Sequence, residues 1–211
     1  MTVRAVIFDL GGVVLGSPLQ AIRDYERELG LPRNAINRVA AETAPHGAWS
    51  KLERGELSME AFYPAFEADC ATAGHTISAR EMMVRVGAAA VPRESMLRAI
   101  ERIREAGLLT AALTNNWANE EPGPDDGTRA LRDRFHVFIE SSVEGLRKPD
   151  PRIYELTCSR LSVDPAESAF LDDIGANLKS ARALGMRTIK VDEPEPALRE
   201  LEGVLGLNLL G

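Results

Sequence analysis

Four short segments of the chain carry polar side chains of the kinds that move phosphoryl groups. FDLGG offers the carboxylate of Asp9, followed at once by the turn-forming Gly11 and Gly12. LTNNW offers the hydroxyl and amide donors of Thr114 and Asn115. GLRKPDP offers a cation, Lys148, and FLDDIGAN offers the carboxylate pair Asp172 and Asp173. A carboxylate attacks phosphorus only when its own charge and those of the phosphate are neutralised. A Mg²⁺ held by Asp9 and Asp173 supplies part of that neutralisation, and Lys148 another part. Thr114, Asn115 and the backbone N–H groups of the Gly11-Gly12 turn are the donors expected on the equatorial oxygens. Taken singly, each segment has an ordinary structural use: Asp before Gly-Gly turns a chain, Thr-Asn-Asn opens a helix, Lys-Pro lies on surfaces, and Asp-Asp before a helix caps it. Their order, each behind its own apolar run, points to a site.

Those apolar runs are the elements that must position the site. Val3–Leu10, Leu108–Thr114, His136–Glu140, Ala169–Leu171 and Thr188–Val191 are short and apolar, the pattern of strands buried on both faces. Helical patterns separate them over Pro92–Gly107, Asp150–Leu161 and Gly175–Gly185, with proline near the start or glycine at the stop. Alternation of this kind predicts an α/β fold around a parallel sheet, in which ligands bind beyond the carboxyl ends of the strands.

From Ser17 to about Val91 the alternation breaks. Pro18–Gly30, Pro32–Thr43, Ser58–Asp69 and Ser78–Gly87 read as amphipathic helices, with turns at Gly47–Trp49 and Gly55–Leu57. Four helices without a returning strand favour an all-helical insert after the first strand over helices that merely cover one face of the sheet. The expected division is a core of 1–16 and 92–211 and an insert of 17–91. The two crossings, near Gly16–Pro18 and Val91–Pro92, are the expected hinges. Asn119–Gly127 reads as a solvated acidic loop.

Composition narrows the classes. The 211 residues carry 25 Lys and Arg against 32 Asp and Glu, a formal charge of −7, which argues against broad binding to nucleic acid or an anionic membrane. It leaves room for a small phosphorylated metabolite, because one Mg²⁺ and Lys148 reverse the sign locally. No run reaches the length of a membrane span, no secretory signal is visible, and the two cysteines, Cys70 and Cys158, form no CxxC pair. A cytoplasmic setting is the expectation. Both cysteines read as packing residues, and His46, His75 and His136 stand in no ligand spacing. Trp49 reads as part of the core of the insert, with a substrate-facing role as the alternative. Trp117 either walls the site or packs beneath it. Asn177, one helical turn after Asp173, is placed to orient the acidic loop or is simply a polar first-turn residue.

The order FDLGG, LTNN, RKPDP, FLDDIGANLKSARALGM resembles the four motifs of the haloacid dehalogenase-like hydrolase superfamily, and in particular the N-terminal phosphatase domain of soluble epoxide hydrolases. The resemblance implies a Rossmann-like core with a helical cap and dependence on Mg²⁺. It implies Asp9 as nucleophile, Thr114 and Asn115 as phosphate-binding residues, and Lys148 as the charge-neutralising lysine. Asp173 takes the place of the metal-binding acid, Asp172 stands beside it in support, and Gly11 lends a backbone carbonyl to the metal. Gly11 is also a departure, because phosphatases of this family carry a second aspartate there that protonates the leaving group and then activates water. General acid–base catalysis contributes about 10²–10⁴-fold. Three functions follow as expectations: a Mg²⁺-dependent phosphatase working through an aspartyl-phosphate, a phosphate-ligand binder with little or no catalysis, and a dehalogenase.

Overall fold

The computed structural model describes residues 2–118 and 131–211, so the acidic segment Asn119–Gly127 lies outside the described residues. The first strand, β1, is Ala5–Phe8, and all four of its side chains are buried. Ala5 and Ile7 point to one face of the sheet while Val6 and Phe8 point to the other, and both faces carry a hydrophobic cluster. Strands β2 (Leu109–Thr114), β3 (Val137–Glu140), β4 (Ser168–Asp172) and β5 (Arg187–Lys190) complete a five-stranded sheet in the order β3-β2-β1-β4-β5, with every pairing parallel. The α/β architecture read from the sequence is therefore the one observed.

Between β1 and β2 lie α1 (Pro18–Glu28), α2 (Ala35–Glu42), α3 (Ala48–Glu53), α4 (Met59–Thr72) and α5 (Ala79–Ala88), followed by α6 (Glu94–Glu105). The expectation was four helices before the crossing back to the core; the structure has five. The segment read as a turn at Gly47–Trp49 opens α3, whose start is held by the Asp69 carboxylate accepting from the Ala48 N–H at 2.9 Å. Ser17, Ser58 and Ser78 cap α1, α4 and α5 through their hydroxyls. Pro32 to Asn34 stays outside α2, and the buried Glu26 carboxylate accepts the N–H of Asn34 at 2.7 Å and of Ile36 in the first turn at 2.8 Å. These helices share a cluster of their own, centred on Ile22, Tyr25, Ile36, Phe62, Phe66 and Met82.

After β3 come a short α7 (Ser141–Glu144) and α8 (Pro151–Leu161), then α9 (Gly175–Ala183) after β4 and α10 (Pro194–Leu205) after β5. Helices α6 and α10 cover the Val6/Phe8 face, while α8 and α9 cover the Ala5/Ile7 face. The chain thus winds in both directions from β1, and the crevice between the ends of β1 and β4 is the topological switch point where such sheets bind ligands. The segments that enter and leave the run of five helices lie side by side: Leu15 and Pro92 form an isolated antiparallel bridge, and the Gly16 N–H donates to the Val91 carbonyl at 2.9 Å.

Candidate active site

The carboxyl ends of β1, β2 and β4 and the loop after β3 converge on one cavity of about 1240 Å³. Asp9, Gly11, Thr114, Asn115, Lys148, Asp173 and Asn177 all line it, with Asp172 directly behind. Residues up to 168 positions apart in the chain are brought together because parallel strands end in register: the Asp9 N–H donates to the Leu171 carbonyl at 2.9 Å.

Lys148 is at the centre. It is 1 % exposed, and its ammonium lies 2.8 Å from Asp9 Oδ1 and 2.8 Å from Asp172 Oδ2. Burial alone would lower the lysine pKa, but Asp172 and Asp9 outweigh it and hold the pKa above its ordinary value. Asp172 is fully buried and engaged through both oxygens. Oδ1 accepts from the Ile174 N–H at 2.7 Å, and Asn177 Nδ2 reaches Oδ1 at 3.1 Å and Oδ2 at 3.0 Å. Asn177 therefore orients Asp172 rather than the whole acidic loop.

Asp9 differs. Its Oδ1 accepts from the Leu10 N–H at 2.7 Å and from Lys148, while no hydrogen bond reaches Oδ2 among the described residues. Asp173 likewise receives no side-chain donor among them. Gly12, at φ +81°, passes so close that an added Cβ would stand 2.3 Å from Asp173 Oδ2. Only glycine leaves room for that carboxylate, and only glycine takes this backbone conformation without strain.

One oxygen from each of Asp9, Asp172 and Asp173 lies within 4.8 Å of the others, so three carboxylates share one lysine. Burial, with Asp172 and Asp173 adding repulsion, raises the Asp9 pKa well above the carboxylate range despite Lys148. Asp173 is pushed up to about 6, by burial first and by Asp172 second. An all-oxygen cluster with surplus negative charge, in which Asp9 Oδ2 and the Asp173 carboxylate have no side-chain donor among the described residues, fits a hard divalent cation.

An acid with a raised folded-state pKa holds its proton longer in the folded chain. The stability it lends is present below about pH 4 and is lost as the pH rises through about 6. In metal-free buffer at pH 8, D173N is accordingly expected to be more stable than the parent chain by on the order of 2 kcal/mol. The gap should close toward pH 4, and Mg²⁺ should raise the melting temperature of the parent chain alone. Thermal melts of the two proteins across pH, with and without Mg²⁺, check this.

Two expected donors are already committed. Asn115 spends its side chain on the backbone of Lys148: Nδ2 donates to the Lys148 carbonyl at 3.1 Å, and Oδ1 accepts its N–H at 2.8 Å. The Gly12 N–H donates to the Gly16 carbonyl at 3.0 Å. Neither the Asn115 amide nor the Gly12 amide is thus free for a phosphate oxygen in this conformation. Among the described residues the Thr114 hydroxyl has only a long 3.4 Å contact to the Asn115 carbonyl and remains available.

Three further residues meet at the site. Glu53, buried at the end of α3, accepts from Trp49 Nε1 at 2.9 Å and from Arg147 Nε at 2.5 Å. Burial raises its pKa against the opposing Arg147. Arg93 donates to the Gly12 carbonyl at 2.9 Å and lies close enough to favour the ionised form of Asp173. Spacing alone gave no signal for Glu53, Arg93 or Arg147, because their partners are distant in the chain.

Trp49 lies in the core of the helical region, as the first of its two readings has it. It packs on Phe62 and Phe66 with ring centroids 5.8 and 5.5 Å away, and it also lines the cavity. Trp117 forms part of the cavity wall. Cys70 and Cys158 are buried with thiols pushed up to about 12 and about 11, so neither is a nucleophile. His136 accepts the Thr110 N–H at 3.0 Å and serves the sheet. No helix among the described residues is long and apolar enough to cross a membrane.

Comparison with known proteins agrees with this arrangement. The chain is 40 % identical over 98 % of its length to mouse acyl-CoA dehydrogenase family member 10, and 35 % identical over its full length to pig bifunctional epoxide hydrolase 2. It spans only 19 % and 40 % of those two proteins. It is 30 % identical over 91 % of its length to a Mycobacterium tuberculosis phosphatase, and covers 88 % of that protein. Its fold matches a HAD family enzyme of Bacteroides thetaiotaomicron, solved with magnesium and inorganic phosphate, at a TM-score of 0.61 and 19 % identity over 93 % of this chain and 98 % of the other. The family model for haloacid dehalogenase-like hydrolases covers residues 3–185, from just before β1 to the glycine after α9. With all four motif segments inside that span, the chain belongs to the haloacid dehalogenase-like hydrolase family.

Proposed function

We propose that the protein is a Mg²⁺-dependent phosphatase of small organic phosphate esters and works through an aspartyl-phosphate on Asp9. The observation that carries this reading is the buried trio Asp9, Asp172 and Asp173 around Lys148, whose surplus charge suits a cation and a phosphate together. The phosphatase of similar length from M. tuberculosis and the magnesium and phosphate held by the Bacteroides enzyme support it. The same acidic trio favours phosphoryl transfer over dehalogenation, where a carboxylate set fit for a metal has no task.

Asp9, Asp173 and the Gly11 carbonyl would hold Mg²⁺, which when bound neutralises the attacking carboxylate and the phosphate. Lys148 fixes Asp9 through Oδ1 and leaves Oδ2 to attack phosphorus. Thr114 offers its hydroxyl to a phosphate oxygen. Asn115 keeps Lys148 in place through both backbone bonds, and Asp172, itself held by Asn177, fixes the other side of the ammonium. The helices of 17–91 act as a cap on the core of 1–16 and 92–211. Closing the cap excludes water and strengthens the electrostatics around the phosphate. The paired crossings at Gly16–Pro18 and Val91–Pro92 serve as its hinges. The cellular setting proposed is the cytoplasm, and the partner a small phosphorylated metabolite.

Gly11 supports a second reading, a phosphate binder with weak catalysis, because it supplies no proton. It also directs the choice of substrate. The leaving groups of aryl, acyl and anomeric phosphates need less help from an acid than those of alkyl phosphates. Gly11 sits at φ −64° and ψ 122°, a backbone any residue adopts, but an added Cβ would lie 3.0 Å from Pro18 Cγ. G11D is expected to raise turnover of an alkyl phosphate about a hundredfold or more, the lower end of the usual range for an acid–base group. G11D/P18A relieves the crowding. If both variants fold, bind Mg²⁺ and show no gain, the missing acid is not what limits the enzyme. Mg²⁺-dependent hydrolysis of an aryl phosphate by the parent chain, abolished by EDTA, separates the catalyst from the binder.

A further inference from the structure

One buried acid faces the cavity from the helical side rather than from a strand end. Glu53 is 6 % exposed. Its Oε1 accepts from Trp49 Nε1, and its Oε2 accepts from Arg147 Nε at 2.5 Å and Asn115 Nδ2 at 3.5 Å. Arg147 immediately precedes Lys148, and Asn115 brackets the Lys148 backbone through donor and acceptor at once. The Lys148 ammonium holds Asp9 and Asp172. An unbroken set of bonds therefore runs from α3 to the nucleophile candidate.

Two other close approaches flank it. Gly55, just past α3 at φ +71°, lies so near α7 that an added Cβ would stand 2.4 Å from the Ser142 carbonyl oxygen. The rings of Trp49 on α3 and Trp117 after β2 meet edge to face at 6.4 Å.

We propose that Glu53 is a positioning residue: it latches the helical insert onto the Asn115–Arg147 pair and so sets where Lys148 stands against Asp9. Its effect on turnover rests on the phosphatase reading; its effect on the insert does not. A carboxylate on a short helix, drawing an arginine and an amide from two different core loops, ties the insert to both loops that carry phosphate-site residues. Opening the insert breaks the bonds to Arg147 and Asn115 together and frees the segment before Lys148, so closure and lysine placement are one event.

The chain has two tryptophans, Trp49 and Trp117, and both stand at this junction. Their fluorescence thus reads the latch without reference to activity. In E53A, acrylamide quenching of that fluorescence is expected to rise, while far-UV circular dichroism stays unchanged. With an aryl phosphate and saturating Mg²⁺, kcat should fall about ten- to a hundredfold while KM moves much less, the loss expected from misplacing a catalytic group by about 1 Å. E53Q keeps the shape and the acceptor for Trp49 but loses the ion pair and the acceptor that faces Arg147 and Asn115, and serves if E53A does not fold. E53Q, R147Q and the double variant form a cycle in which the double should be no worse than either single. Additive losses in that cycle, or quenching unchanged in E53A, overturn the latch. If the parent chain hydrolyses no ester, the phosphatase reading fails, and quenching together with a stability cycle still decides the latch.

Discussion

D9N is expected to abolish Mg²⁺-dependent hydrolysis of an aryl phosphate, by on the order of 10⁴-fold or more, while leaving the fold as stable as before or more so. The two effects have separate causes. Asn is close to Asp in shape and keeps an acceptor for the Leu10 N–H, but its amide does not attack phosphorus. For stability, the substitution removes one of three carboxylates that share one ammonium. It also removes the group whose pKa burial and its acidic neighbours raise well above the ordinary range. Relief of that repulsion offsets the lost ion pair with Lys148. Initial rates with and without EDTA, set beside thermal melts in metal-free buffer, check both halves. Residual turnover near that of the parent chain would remove Asp9 from the mechanism.

K148M is the second large effect and runs the other way on stability. Met keeps the length and bulk of the side chain in a site that is 1 % exposed, but it deletes a cation that makes ion pairs of 2.8 Å to Asp9 and Asp172. Removing one partner of a buried ionic set costs about 3–5 kcal/mol, because the remaining charges lose compensation while staying buried. Asp9 and Asp173 already have raised pKa values, so they take up protons on acidification and relieve the strain. The deficit should thus be largest near pH 8 and smaller near pH 5. Turnover should fall about 10²–10³-fold even where the variant is folded, the usual loss when one group that stabilises developing charge is removed. Denaturant unfolding at the two pH values, with rates measured at the higher, tests the pairing. A pH-independent deficit would mean that packing rather than charge is the main task of Lys148.

The strand ends were legible in the sequence because two simple signals coincide there. Runs such as AVIF and AFL are apolar over their whole length, which only a strand covered on both faces tolerates, and a polar residue follows each at once. Asp9, Thr114, Lys148 and Asp173 could be placed on one side of one sheet on that basis. What spacing did not show is how the donors are shared. Asn115 reads as a phosphate ligand until the structure shows both of its amide atoms bound to the Lys148 backbone, 33 positions away. Helix α3 escaped because it has only six residues, no side-chain cap from its own Gly47, and glycines on both flanks. Its start is satisfied by Asp69 from another helix, a tertiary contact that no local pattern carries. Glu53 was hidden with it, since its meaning comes from Asn115 and Arg147, 62 and 94 positions away.

The absence of an acid at Gly11 makes the central claim directly observable. A phenolate leaves without protonation, so the first step on an aryl phosphate proceeds, whereas water attacking the aspartyl-phosphate lacks its general base. The phosphorylated protein should therefore accumulate. The decisive measurement is acid-quenched mass spectrometry of the chain during Mg²⁺-dependent turnover of an aryl phosphate. The account predicts a burst of the aryl alcohol close to one equivalent per chain, with the peptide containing Asp9 heavier by one phosphoryl group and no such peptide from D9N. A linear release from the first turnover, with the Asp9 peptide unmodified throughout and D9N still active, would contradict it.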